Sequence, residues 1–98
     1  MKHDFGECIQ LLGGYFHQDW TDEFRSDDEA VKAMLKAEPM DMFVQASGEL
    51  RALLAAEFSE QDLANILTDT IGCYFAPAAV GLTYRQWLES VLKLWDAG

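Results

Sequence analysis

Apolar residues recur at helical spacing along almost the whole chain. Phe5, Ile9, Leu12 and Phe16 fall at i, i+4, i+7 and i+11 and predict one face of a first helix. Gly13 and Gly14 weaken that helix but would let a neighbouring segment approach closely. Ser26 followed by Glu29 reads as a capping box for a second helix, with Ala30, Val31, Met34 and Leu35 inward. Pro39 closes that helix or opens the next, which runs from about Met40 to Glu57 with Phe43, Ala46, Leu50, Leu53 and Leu54 inward. Ser59 with Asp62 marks a fourth start. Leu63, Ile66, Leu67, Thr70, Ile71 and Tyr74 then form one apolar stripe, while Asp62, Asn65 and Asp69 share a solvated face. Pro77 and Gly81 bracket a loop, and Thr83 with Gln86 caps a last helix with Tyr84, Trp87, Leu88, Val91, Leu92 and Trp95 inward. No segment alternates long enough to predict a strand. The expected fold is all-α, a compact bundle of about five helices with short loops.

Length places residues 1–98 in one domain, which buries about two-thirds of its unfolded surface. Half the residues are hydrophobic and 12% are aromatic, enough for an ordered core. Cys8 and Cys73 lie in apolar surroundings with no CxxC pair, as expected of two reduced, buried thiols. Met1-Lys2-His3-Asp4 leads into no apolar signal region and no run is long enough for a membrane span, so the expected compartment is the cytoplasm.

Charge changes the picture most. Seventeen acids stand against seven bases, for a net charge of −10. That excess disfavours direct nucleic-acid binding and favours rapid encounter with a basic partner. It is also unevenly spread. Between residues 19 and 29, Asp19, Asp22, Glu23, Asp27, Asp28 and Glu29 face Arg25 alone; between 57 and 69, Glu57, Glu60, Asp62 and Asp69 face no base. Both stretches span a helix start, where the macrodipole favours acids by about 0.3–1 kcal/mol each at low salt. Capping explains about two acids per stretch; six in eleven residues exceed it. Two readings stand for the surplus: a solvated helix start, or a contact surface for a basic partner.

Catalytic chemistry finds little support. Cys8 and His17 are more than about 10 Å apart along a helix axis, and His3 lies in a terminal segment expected to fray. No HxxE or HxxxH pair supports His17 and Asp19 as metal ligands, no Asp-x-Asp-x-Asp-Gly start suggests a calcium loop, and no glycine-rich phosphate loop is present. No catalytic residue, metal or cofactor is therefore expected. His17 is expected to make a structural hydrogen bond, Asp19 to cap or to pair with a backbone amide or Arg25, and Trp87 and Trp95 to lie in the core.

Two motifs remain. The first is Leu12 through Trp20, containing Tyr15-Phe16-His17-Gln18-Asp19-Trp20. The second is Gly72-Cys73-Tyr74-Phe75-x-Pro77, then Gly81-Leu82-Thr83-Tyr84-x-x-Trp87-Leu88. Through them the chain resembles, over almost its whole length, the immunity proteins of bacterial contact-dependent growth inhibition (CDI) systems. It departs at Ala76, where a more polar residue is expected before the proline. The resemblance implies a non-enzymatic inhibitor, monomeric when free and with no membrane partner, that binds the C-terminal toxin domain delivered by a neighbouring cell. Such toxins are often nucleases with basic surfaces. The aromatic motifs are expected to define the core, leaving contact to polar positions: Asp22, Glu23, Asp27, Asp28 and Glu29, with Glu60, Asp62 and Asp69 as a second group. The alternatives are an acidic helical adaptor or regulatory domain for a basic segment of a host protein, and a small enzyme using His17 and Asp19.

Overall fold

The computed structural model describes residues 5–97; the expectation for His3 lies outside them. Of the described residues 76% are helical, and none is in a strand. The first helical run comprises α1 (Gly6–Cys8) and a π-helical turn, π1 (Ile9–Gly13), and continues to Tyr15. A single helical turn, α2 (Trp20–Glu23), leads to α3 (Asp27–Ala37) and α4 (Met40–Ala55). Next, α5 (Glu60–Asn65) widens into a second π segment, π2 (Ile66–Ile71). A short 3₁₀ turn, Pro77–Val80, precedes α6 (Tyr84–Ala97). Among the described residues no helix is long and apolar enough to cross a membrane.

Each expected cap residue bonds its helix start, although at Ser26 only one half of the expected box forms among the described residues. Ser26 Oγ accepts the Glu29 N–H at 3.2 Å. Ser59 and Asp62 close a full reciprocal box at 3.1 and 3.3 Å, as do Thr83 and Gln86 at 3.1 and 3.0 Å. One core unites the runs: Leu11, Leu12 and Phe16, Val31 and Met34, Phe43, Leu50 and Leu53, Leu63 and Leu67, and Trp87, Leu88 and Trp95.

The apolar phase of two runs differs from expectation. Ile9 is exposed and Cys8 and Leu11 take its place; Thr70 and Tyr74 are also exposed. Both departures fall at a π segment. Bonding i→i+5 takes up an extra residue per turn and rotates the later residues away from the 3.6-residue phase. Beyond π2 the helix ends at Gly72, whose φ of 82° needs the left-handed region that glycine adopts freely. The chain then runs extended, with Cys73, Phe75 and Pro77 inward and Tyr74 and Ala76 outward.

The two π segments lie against each other through Gly13. A Cβ there would run into the carbonyl oxygen of Ile71, whereas Gly14 has open space around it. Close approach therefore depends on Gly13 and not on Gly14. A buried carboxylate completes this corner. Glu49 of α4, 7% exposed, accepts the N–H groups of Glu7 (3.2 Å) and Cys8 (2.9 Å) at the start of the first run. Those donors have no intrahelical acceptor, so the buried charge is compensated where the helix most needs an anion.

The ends of α4 and α6 are capped in trans. The Arg85 guanidinium donates to the carbonyls of Leu54 (2.9 Å) and Phe58 (3.3 Å), at the exit of α4. The Glu60 carboxylate accepts the N–H groups of Tyr84 (2.7 Å) and Arg85 (3.1 Å), where α6 begins. Between them Glu57 takes a positive φ of 60°.

Gly13→Ala should lower stability by about 1–3 kcal/mol in urea denaturation, because backbone must yield to the new methyl group. Gly14→Ala, in the same helical run, should raise it by about 0.5–1 kcal/mol. Glu57→Gly should also raise it, by about 0.5–1 kcal/mol, since glycine is the favoured residue at a left-handed helix terminus. A destabilised Glu57→Gly protein would show that this side chain has a structural task.

Candidate functional site

The two sequence motifs meet in a cluster of four rings. Phe16 packs on Trp20 (5.3 Å between centroids), Phe75 (5.7 Å) and Trp87 (5.4 Å), and Phe75 packs on Trp20 (5.5 Å) and Trp87 (4.7 Å). The Tyr74 N–H donates to the Phe16 carbonyl at 2.7 Å, so backbone as well as rings joins the motifs. Each motif supplies part of the core, Leu12 and Phe16 from the first and Cys73, Phe75, Pro77, Trp87 and Leu88 from the second, while Gln18, Asp19 and Tyr74 are exposed; Trp95 lies in the core beside Phe43.

The first acidic segment grows from this cluster. The Trp87 indole is buried, and its Nε1–H donates to Asp27 Oδ2 at 2.9 Å. Asp27 is thus half-buried and structurally engaged, while Asp28 and Glu29, next in the first turn of α3, are exposed. On α2, Asp22 and Glu23 are exposed too. Glu23 pairs with His17 Nε2 at 2.7 Å, while His17 Nδ1 accepts the Asp19 N–H at 3.1 Å. These contacts give His17 its structural role and require its proton on Nε2. The Asp19 side chain makes no cap bond, and Arg25 forms no ion pair among the described residues.

The second segment divides its duties differently. Glu60 caps α6 and Asp62 closes its own helix's box, while Asp69 lies exposed on π2. The side chains of Asp22, Asp28, Glu29 and Asp69 therefore make no hydrogen bond or ion pair among the described residues; Asp27, Glu60 and Asp62 each serve the fold.

Two grooves flank the Pro77–Val80 turn. One, of about 370 Å³, lies between Trp20, Arg25 and Asp27 on one side and Tyr74, Phe75, Ala79 and Val80 on the other. The second, of about 280 Å³, lies between Glu60, Gln61 and Ala64 and the stretch Ala78 to Tyr84. The same turn is a wall of both, with an acid across each groove: Asp27 in one, Glu60 in the other. Charge clustering in the sequence does not select Tyr74, Val80 or Trp20 for this region. The available signal is Gly72, which ends the helical stripe before Tyr74.

No nucleophile is poised in either groove. Cys8 and Cys73 are buried, and burial pushes the Cys73 pKa up to about 12 against a lowering backbone hydrogen bond at Phe75, leaving it protonated and inert. Among the described residues no three His, Cys, Asp or Glu side chains gather as a metal site.

The accessible features of this helical scaffold are charge and shallow grooves. The sequence model of the CdiI immunity protein family matches residues 4–95. A chain in the crystal structure of a CdiA-CT/CdiI complex from Y. kristensenii 33638 shares the fold at a TM-score of 0.85 and 25% identity, over 93% of this chain and 97% of that one. No curated protein matches. The chain belongs to the CdiI immunity protein family, whose members are inhibitors of toxins and not enzymes.

Asp27→Ala should cost about 1–3 kcal/mol, because it strands a buried indole N–H. Asp28→Ala should stay within about 0.5 kcal/mol of the parent. Thermal unfolding of the two variants checks the difference; equal melting temperatures would mean that water satisfies Trp87.

Proposed function

We propose that this protein neutralises the C-terminal toxin domain of its cognate CdiA protein by covering a basic, phosphate-binding surface of that domain with its own acidic face. The toxin is a nuclease in this reading. The chain acts as a single cytoplasmic domain, monomeric when free, and touches neither nucleic acid nor membrane. The observation that carries the proposal is the exposure of Asp22, Asp28 and Glu29, whose side chains have no partner among the described residues, together with a half-buried Asp27 fixed to the core. Acids needed only for capping would be consumed by the helix starts, as Asp62 is. Family membership and the CdiA-CT/CdiI composition of the Y. kristensenii structure support the choice of partner.

In this reading Glu60, Asp62 and Asp69 are a second acidic group. Of these, Asp69 is free to contact a partner, while Glu60 and Asp62 contribute field with their hydrogen bonds committed inward. Charges of this kind act mainly on encounter, raising the association rate at low salt.

Titration calorimetry with the cognate toxin domain at low and high salt tests the reading. Tight binding that weakens as salt rises is expected. The double reversal Asp28→Lys, Glu29→Lys should lower the association rate about tenfold or more at low salt while the fold persists. Tight binding indifferent to salt and to both reversals would move the interface elsewhere. Absence of binding would favour an adaptor role toward another basic protein.

A further inference from the structure

We infer that the groove between Trp20 and Val80 is the anchor pocket of the toxin interface, and that its occupant is a lysine or arginine side chain of the toxin domain. This rests on the toxin-binding reading above and adds where dissociation is controlled. The floor includes Trp20 and Phe75, whose rings interlock with Phe16 and Trp87. It is therefore formed before any partner arrives, and little ordering entropy is lost there on binding. The lip holds Tyr74 and Val80, 52% and 48% exposed, two of the few large apolar side chains left in water. Tyr74 is kept there by the extended backbone after Gly72 and by the 2.7 Å bond from its N–H to Phe16.

The opposite wall carries one acid, Asp27, beside Arg25 and Ser26. Asp27 Oδ2 holds the Trp87 indole, while its Oδ1 makes no hydrogen bond within the described residues. Asp28 and Glu29 come next on α3, with α2 carrying Asp22 and Glu23 nearby in sequence. An apolar floor beneath Asp27, within a segment (residues 19–29) that holds six acids and one base, complements a side chain with an aliphatic stem and a cationic head. Among the described residues Arg25 is the one cation lining the groove. It opposes such an occupant, which makes it a probe of the occupant's sign.

The test is association and dissociation kinetics of the full chain with its cognate toxin domain. Tyr74→Ala and Val80→Ser, each checked for helicity and melting temperature, should raise the dissociation rate about tenfold. Their association rates should keep the parent's salt dependence. Arg25→Ser should tighten binding about two- to fivefold by removing the like charge. Dissociation rates within about twofold of the parent for both lip variants would overturn the anchor. Weaker binding of Arg25→Ser would overturn the cationic occupant and assign an acidic one. If the wild-type chain fails to bind the toxin, the functional reading itself falls. If it binds and only the lip variants behave as the parent, the anchor alone falls.

Discussion

The side chain on which this structure most depends is the Trp87 indole. It is 1% exposed, it packs on Phe16 and Phe75, and its single polar atom must find an acceptor inside the fold. Asp27 supplies it from sixty residues away. The one contact therefore couples the N-terminal motif, the extended segment after Gly72, the start of α3 and the first turn of α6. Trp87 in turn is placed by the Thr83–Gln86 box and by the Glu60 carboxylate over the same helix start. Trp95 is a useful contrast: its Nε1 is buried with no partner among the described residues, and no comparable tether forms around it.

Acidity in this protein is a mixed property. Glu49 closes the first helical run, Glu60 the last, Asp62 its own helix, and Asp27 the aromatic cluster. These acids answer to N–H groups that would otherwise lack an acceptor. The side chains of Asp22, Asp28, Glu29 and Asp69 answer to nothing within the described chain. A formal charge of −10 thus overstates the display and hides a network of caps.

Local patterns were legible in the sequence because their causes are local. Ser26, Ser59 and Thr83 start helices through partners three residues away, and the sequence shows both members of each pair. The ring motifs read as core, and their order and spacing pointed to the family. Ile9 and Thr70 depart from the expected face because a 3.6-residue phase does not carry across π turns, and Tyr74 because the helix ends before it, at Gly72. The inward duties of Asp27, Glu49 and Glu60 were invisible for another reason: their partners lie 24 to 60 residues distant. Nothing in a carboxylate's own neighbourhood says which distant donor it will meet.

The division between tethered and free acids also bears on how such a protein can change over generations. Asp28 and Glu29 sit directly beside the anchored Asp27, yet their side chains carry no bond among the described residues, so they can be exchanged with little effect on folding. A lineage can therefore explore new pairings at the rim while the indole and its carboxylate hold the architecture constant. Mutational freedom lies one residue away from mutational constraint, on the same turn of one helix.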